Sequence, residues 1–141
     1  MLFREGEKMI NVRLDDTANI ISSIKVAERL SIDEIAERLG ISTDTIRKVL
    51  RGNNQMSAKN VHRLVRRLGY ELIVDGEPFD VLSFNQYMTK LAKKLGKNKR
   101  EIALDLGFSE NYFFGANKSL SSIQYVLDTF DKTVILKAIY E

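Results

Sequence analysis

"EIAERLGISTDTIRKVLRG", residues 34–52, decides the fold of this 141-residue chain. Its apolar positions have helical spacing on both sides of Leu39-Gly40. Glycine takes a positive φ without strain, so Gly40 reads as the turn between two short helices. Ser31 stands three residues before Glu34, the spacing at which the Ser side chain takes one free N–H and the Glu reaches back to the cap. The first helix therefore runs from Ile32 to Leu39. Ser42 caps the second, with Ile46, Val49 and Leu50 facing inward, and Gly52 closes it.

Two helices that cross closely need a small residue at the crossing, here Ala36, and apolar residues after the turn, here Ile41, Ile46 and Val49. The same frame returns in "EIALDLGFSENYFFGANKS", residues 101–119. There Ala103 takes the crossing, Gly107 the turn, and Phe108, Phe113 and Ala116 the locking positions. Asn98 with Glu101 forms the cap of the first helix of this copy, and Ser109 caps the next. A duplicate with the same spacing argues for an internal repeat.

Outward from these frames the chain fills in symmetrically. Ile10, Val12 and Leu14 alternate with polar residues, the pattern of a half-buried strand. Ala18–Arg29 carries Ile20, Ile21, Ile24 and Ala27 at helical spacing. Ser57 caps a further helix with Val61, Leu64, Val65 and Leu68 on one face, ended by Gly69, and Tyr70–Val74 reads as a strand. "DGEPFD" (75–80) is a domain boundary or the tip of a hairpin whose second strand is Phe79–Leu82. Ser83 with Gln86 forms another cap, opening a helix with Phe84, Tyr87, Met88, Leu91 and Leu95 inward. A last helix is expected around Ser121–Phe130, and a strand at Thr133–Leu136. The predicted fold class is mainly α: two tandem helix-turn-helix bundles, 1–75 and 76–141, each followed by a short strand, with a possible N-terminal strand.

Composition narrows the function. No apolar run approaches the roughly 18 residues that span a bilayer, and no signal segment is visible. The chain has no cysteine and one histidine, so no disulfide, thiolate site or cofactor is expected and the cytoplasm is the expected compartment. No nucleophile–base pair or metal cluster is visible, which speaks against an enzyme. The net charge is only +3, yet residues 42–70 hold seven basic side chains against one acidic. A local surplus of this kind is the footprint of a nucleic-acid binder.

The stretch "SIDEIAERLGISTDTIRKVLRGNNQMSAKNVHRLVRRLG" (31–69) resembles the lambda-repressor-like (XRE) helix-turn-helix family. The resemblance covers roughly Ala18–Gly69 and, more loosely, the second half. In that family the second helix of the motif lies in the major groove. This implies that Ser42, Thr43, Asp44, Arg47 and Lys48 face bases, with Arg51 at the edge of the set. The side-chain chemistry agrees: Thr suits a thymine methyl, Asp a cytosine amine, and Arg47 a guanine or a phosphate. Arg51, Arg63, Arg66 and Arg67 suit phosphate, which adds affinity without reading sequence. The family often carries Gln or Thr near the start of the preceding helix, where this chain has Ser31 and Asp33. Asn53-Asn54 is a loop signal, and His62 stands beside an apolar face near the basic helix.

The second copy is loaded differently. Glu110 repels phosphate, and Tyr112, Phe113 and Phe114 in a row cannot all face one core. Tyr112 and Phe114 are therefore candidate contacts to a partner or a second copy, or Phe114 packs under the chain's own C-terminus. Lys93 and Lys94, in the acid-free run "KLAKKLGKNKR", either hold flanking phosphate or form a solvated face. The expected partner is double-stranded DNA, read by a homodimer with half-sites about 34 Å apart or by both units of one chain as a pseudo-dimer. The expected role is a transcriptional regulator, a repressor by operator occupancy. The alternative is an interaction or inhibitor protein, antitoxin-like or phage-accessory-like, whose helix-turn-helix units bind a protein.

Overall fold

A computed structural model describes residues 9–52, 56–114 and 118–139, and among them the chain forms seven helices and four strands. Strand β1 (Met9–Val12) leads into α1 (Thr17–Glu28), α2 (Ile32–Leu39), α3 (Thr43–Leu50), α4 (Ala58–Arg67) and β2 (Tyr70–Val74). After β3 (Glu77–Pro78) come a 3-10 turn (Val81–Ser83), α5 (Phe84–Leu95), α6 (Lys99–Asp105), α7 (Leu120–Thr129) and β4 (Val134–Ala138).

The strands form one antiparallel sheet in the order β1-β4-β2-β3. Leu72 stands opposite Leu136 and Tyr70 opposite Ala138, so the strands that close the two halves pair with each other. Val12, Leu72, Val74, Val134 and Leu136 are buried on one face of this sheet. They join a single apolar cluster with Ile24, Ile46 and Val61 of the first half and Met88, Ile102 and Ile123 of the second.

The helix signals act as local physics predicts. Ser31 and Glu34 exchange both capping hydrogen bonds, at 3.1 and 2.9 Å, and so do Asn98 and Glu101, at 2.8 and 3.1 Å. Ser42 and Ser57 accept from the N–H groups of Thr45 and Asn60. Ala36 is buried where α2 meets α3, and Ala103 is buried on α6. Gly40 (φ 69°) and Gly107 (φ 84°) take the left-handed turn.

Four expectations are corrected. The residues after the Asp75-Gly76 turn pair at once, Glu77 with Val74 and Pro78 with Ile73, so the second hairpin strand is Glu77–Pro78 and not Phe79–Leu82. Asp75 (φ 57°) and Gly76 (φ 77°) both lie in the left-handed region, the geometry of a two-residue hairpin that fixes this register. Ser83 stands at the N-cap of α5 but makes no capping box: its hydroxyl donates to Asp80 Oδ2 at 3.1 Å, and Asp80 caps the preceding 3-10 turn. Leu95, placed inward by its spacing, is 45% exposed at the last position of α5. Finally, the helix expected after Ser109 is absent through Phe114. That segment forms two tight turns, Tyr112 N–H to Ser109 C=O and Phe114 N–H to Asn111 C=O, both at 3.0 Å. Burying Phe113 against Phe84 and Phe108 while Tyr112 stacks on Phe108 sets the backbone there. Gly115, Ala116 and the Asn53-Asn54 signal lie outside the described residues.

Candidate nucleic-acid interface

The candidate surface begins with how α3 is held. Ile46 and Val49 are fully buried, so the opposite face of this two-turn helix must look outward. Asp44, Arg47, Lys48 and Arg51 are exposed, as is Ser42 at its start, while Thr43 is partly covered. Gly40 makes the sharp entry possible, and the Ile41 N–H closes the turn on the Ala36 carbonyl at 3.1 Å.

The polar groups of this face are not all equally free. Ser42 Oγ accepts from the Thr45 N–H at 3.1 Å and lies 2.9 Å from the Thr45 hydroxyl, so its first task is the cap. Asp44 and Lys48 pair at 3.3 Å across one turn, an exposed contact worth little and easily exchanged for a ligand. Among the described residues the Arg47 and Arg51 guanidinium groups have no carboxylate partner.

Helix α4 supplies cations on two sides. Arg63 and Arg67, one turn apart, line a groove of about 250 Å³ together with Asn60, Ile41 and Thr45. They therefore flank the start of α3. Arg67 Nη1 also donates to the Leu39 carbonyl at 3.0 Å, tying α4 to the end of α2. Arg66 faces elsewhere, into a groove with His62, Glu71 and Asp80, where His62 Nδ1 stands 3.4 Å from Asp80 Oδ1. Lys93 and Lys94 are exposed on α5, and Lys94 lines a groove with Asp75, Glu77 and Asp80 of the hairpin region. Acidic neighbours make that groove a poor place for phosphate. Charge spacing along the sequence shows none of this, because the sorting depends on which helix face meets the sheet.

Residues 23–74 match the helix-turn-helix family. The match runs from within α1 to the end of β2 and includes the whole α2–turn–α3 element. The second half lies outside it. No curated protein and no solved structure matches the chain.

The aromatic run of the second half splits three ways. Phe113 is fully buried. Tyr112 stacks on Phe108 with centroids 3.9 Å apart, and the Lys118 ammonium rests 4.3 Å above its ring. Phe114 is 50% exposed, with Lys99 at 4.3 Å over its face. Tyr125, which sequence reasoning passed over, is also half exposed and meets Phe108 edge-on at 5.8 Å. Its position beside an apolar helix face gave no separate signal.

Among the described residues no group of His, Asp or Glu could hold a metal, and no helix is long and apolar enough to cross a membrane.

Proposed function

We propose that this protein is a DNA-binding regulator that reads an operator through α3 and acts by occupying it. The supporting observation is the layout of α3. Its apolar face is buried, while Asp44, Arg47 and Lys48 stand exposed together, with Arg63 and Arg67 beside the start of the same helix. Short polar groups with an arginine on one exposed helix face suit base edges in a major groove. Arg63, Arg67 and Arg51 supply phosphate contacts that fix the register. In this reading residues 1–75 read DNA, and residues 76–141 brace that unit and pair with a second copy.

The test is selection of bound sites from a random-sequence duplex library at two salt concentrations. Enrichment of one motif establishes a sequence reader, and a palindromic motif establishes two reading units per site. Weak binding that salt abolishes, with no enriched motif, overturns the proposal.

One observation favours a second reading. Phe114 and Tyr125 leave two large rings half exposed in the half that lies outside the family match. Exposed aromatic side chains are enriched at protein contacts. In this alternative the second half binds a protein partner, and substitutions at Phe114 change that binding while DNA affinity stays constant.

A further inference from the structure

Beyond the start of α4 the chain carries a second groove, of about 450 Å³, formed between the two halves. Lys59 and Ser57 of the first half form one wall, and Lys118, Ser119 and Ser121 of the second form the other. The one carboxylate at its edge, Asp15, is engaged by Arg13 at 3.1 Å. Among the described residues neither the Lys59 nor the Lys118 ammonium is paired with a carboxylate. Neither α4 nor α7 has an acid in its first turn, so nothing there opposes an anion. Met56 and Ser57 line both this groove and the one between α3 and α4, so the two adjoin there.

We infer that this groove carries the DNA backbone onward from the α3 contact, so that the second half takes part in DNA binding through Lys118 and the start of α7. The inference rests on the reading of DNA by α3. It assigns the occupant as the sugar–phosphate backbone flanking the read bases, because the groove offers two cations and hydroxyl groups but no array able to read base edges. It also moves the flanking phosphate contact away from Lys93 and Lys94. Lys94 shares its groove with three carboxylates, whereas Lys118 shares its groove with one.

The experiment measures affinity for a selected site, and for an unrelated duplex, across a salt series. Three variants are compared with the native chain: Lys59→Gln with Lys118→Gln, Ser121→Glu, and Arg47→Ala as the control for reading. Loss of two phosphate contacts lowers the log–log salt slope by about 1.8, at roughly 0.9 per contact, and weakens both duplexes alike. Ser121→Glu is the safeguard against misfolding. A carboxylate in the first turn of α7 favours that helix, so the variant keeps its fold while its charge repels phosphate. Backbone protection by hydroxyl radicals should shrink on one flank of the site in both groove variants and keep its length in Arg47→Ala. Unchanged slope and protection in both groove variants, while Arg47→Ala loses site preference, overturns this inference and leaves the α3 reading standing. A native chain that selects no site overturns both.

Discussion

Arg67 of α4 donates to the backbone carbonyl of Leu39, 3.0 Å away, at the carboxyl end of α2. A cation here satisfies a helix-end carbonyl and complements the negative end of the helix dipole. It also holds α4 against the turn from which α3 departs. Arg63, one turn earlier, lines the same groove, and among the described residues it has no side-chain hydrogen bond or ion pair. Arg67→Ala should therefore cost about 1–2 kcal/mol of folding stability as well as DNA affinity, whereas Arg63→Ala should cost affinity alone. Denaturant unfolding alongside DNA titration separates the two. Equal stability of both variants would mean that the Leu39 contact contributes nothing.

The double substitution Arg47→Ala with Lys48→Ala removes two exposed side chains and one surface ion pair, so the melting temperature should stay nearly constant. Site-specific DNA binding should be lost. Operator affinity unaltered in this variant would sink the assignment of α3 as the reading helix.

Gly40 carries φ 69°, and a Cβ built there meets only Arg67 Nη1, at 3.8 Å. Space is sufficient, so the cost of Gly40→Ala is the left-handed backbone itself, about 1–2 kcal/mol. Calorimetry should show a lower melting temperature with the spectrum of the folded protein retained. A loss of much more than this would mean that the turn is also needed for a contact to α4.

The two ends of the described chain are clasped by charge. Arg13 donates to both oxygens of Asp128, at 3.2 and 2.9 Å, and Gln124 Nε2 donates to the same carboxylate at 2.9 Å. The Arg13 hydrogen bond, with that of Gln124, holds the Asp128 carboxyl below its ordinary value. A depressed folded-state value means that the clasp contributes fully above the ordinary carboxylate range and is lost as pH falls through the folded-state value. Acid unfolding monitored from pH 6 downward should therefore be less steep in Asp128→Asn than in the native chain. Identical slopes would mean that the clasp does not couple to folding.

Gln124 is buried, and its Oε1 accepts the buried Leu14 N–H at 2.7 Å. Gln124→Leu leaves that donor without a partner and should cost about 1–3 kcal/mol at neutral pH. Equilibrium unfolding at pH 7 measures it directly, and an undiminished stability would show that the N–H finds another acceptor.

Caps, glycines and periodicity made the first half legible nearly residue by residue, because each signal acts within four residues of itself. Ser31, Gly40, Ser42 and Ser57 do in the structure what their spacing implies. Legibility failed where a distant surface decides. The Ser83 hydroxyl turns from the helix it was expected to cap to Asp80, which sits at the foot of a hairpin whose register is fixed by Asp75-Gly76. The segment after Ser109 bends to bury Phe113, although its spacing repeats that of the first copy. In the candidate interface, the face of α3 was readable from its own period. The sorting of Arg63 and Arg67 from Arg66, and of Lys118 from Lys94, required the positions of the sheet and of the other half.

Phe113 and Phe114 are adjacent and chemically identical, yet they face opposite fates. Phe113 is fully buried and touches Phe84 and Phe108 edge-on at 6.0 and 6.3 Å, so Phe113→Ala should cost about 3–5 kcal/mol through lost contacts and the cavity left behind. Phe114 is half exposed beneath Lys99, and Phe114→Asp should cost under about 1 kcal/mol. Sedimentation of Phe114→Asp then decides what the exposed ring is for. A shift from dimer to monomer, with the fold intact, assigns the ring to contact between copies. An unchanged oligomeric state with stability lost on the scale of Phe113→Ala would instead make Phe114 a core residue, and the partner surface would have to be sought at Tyr125.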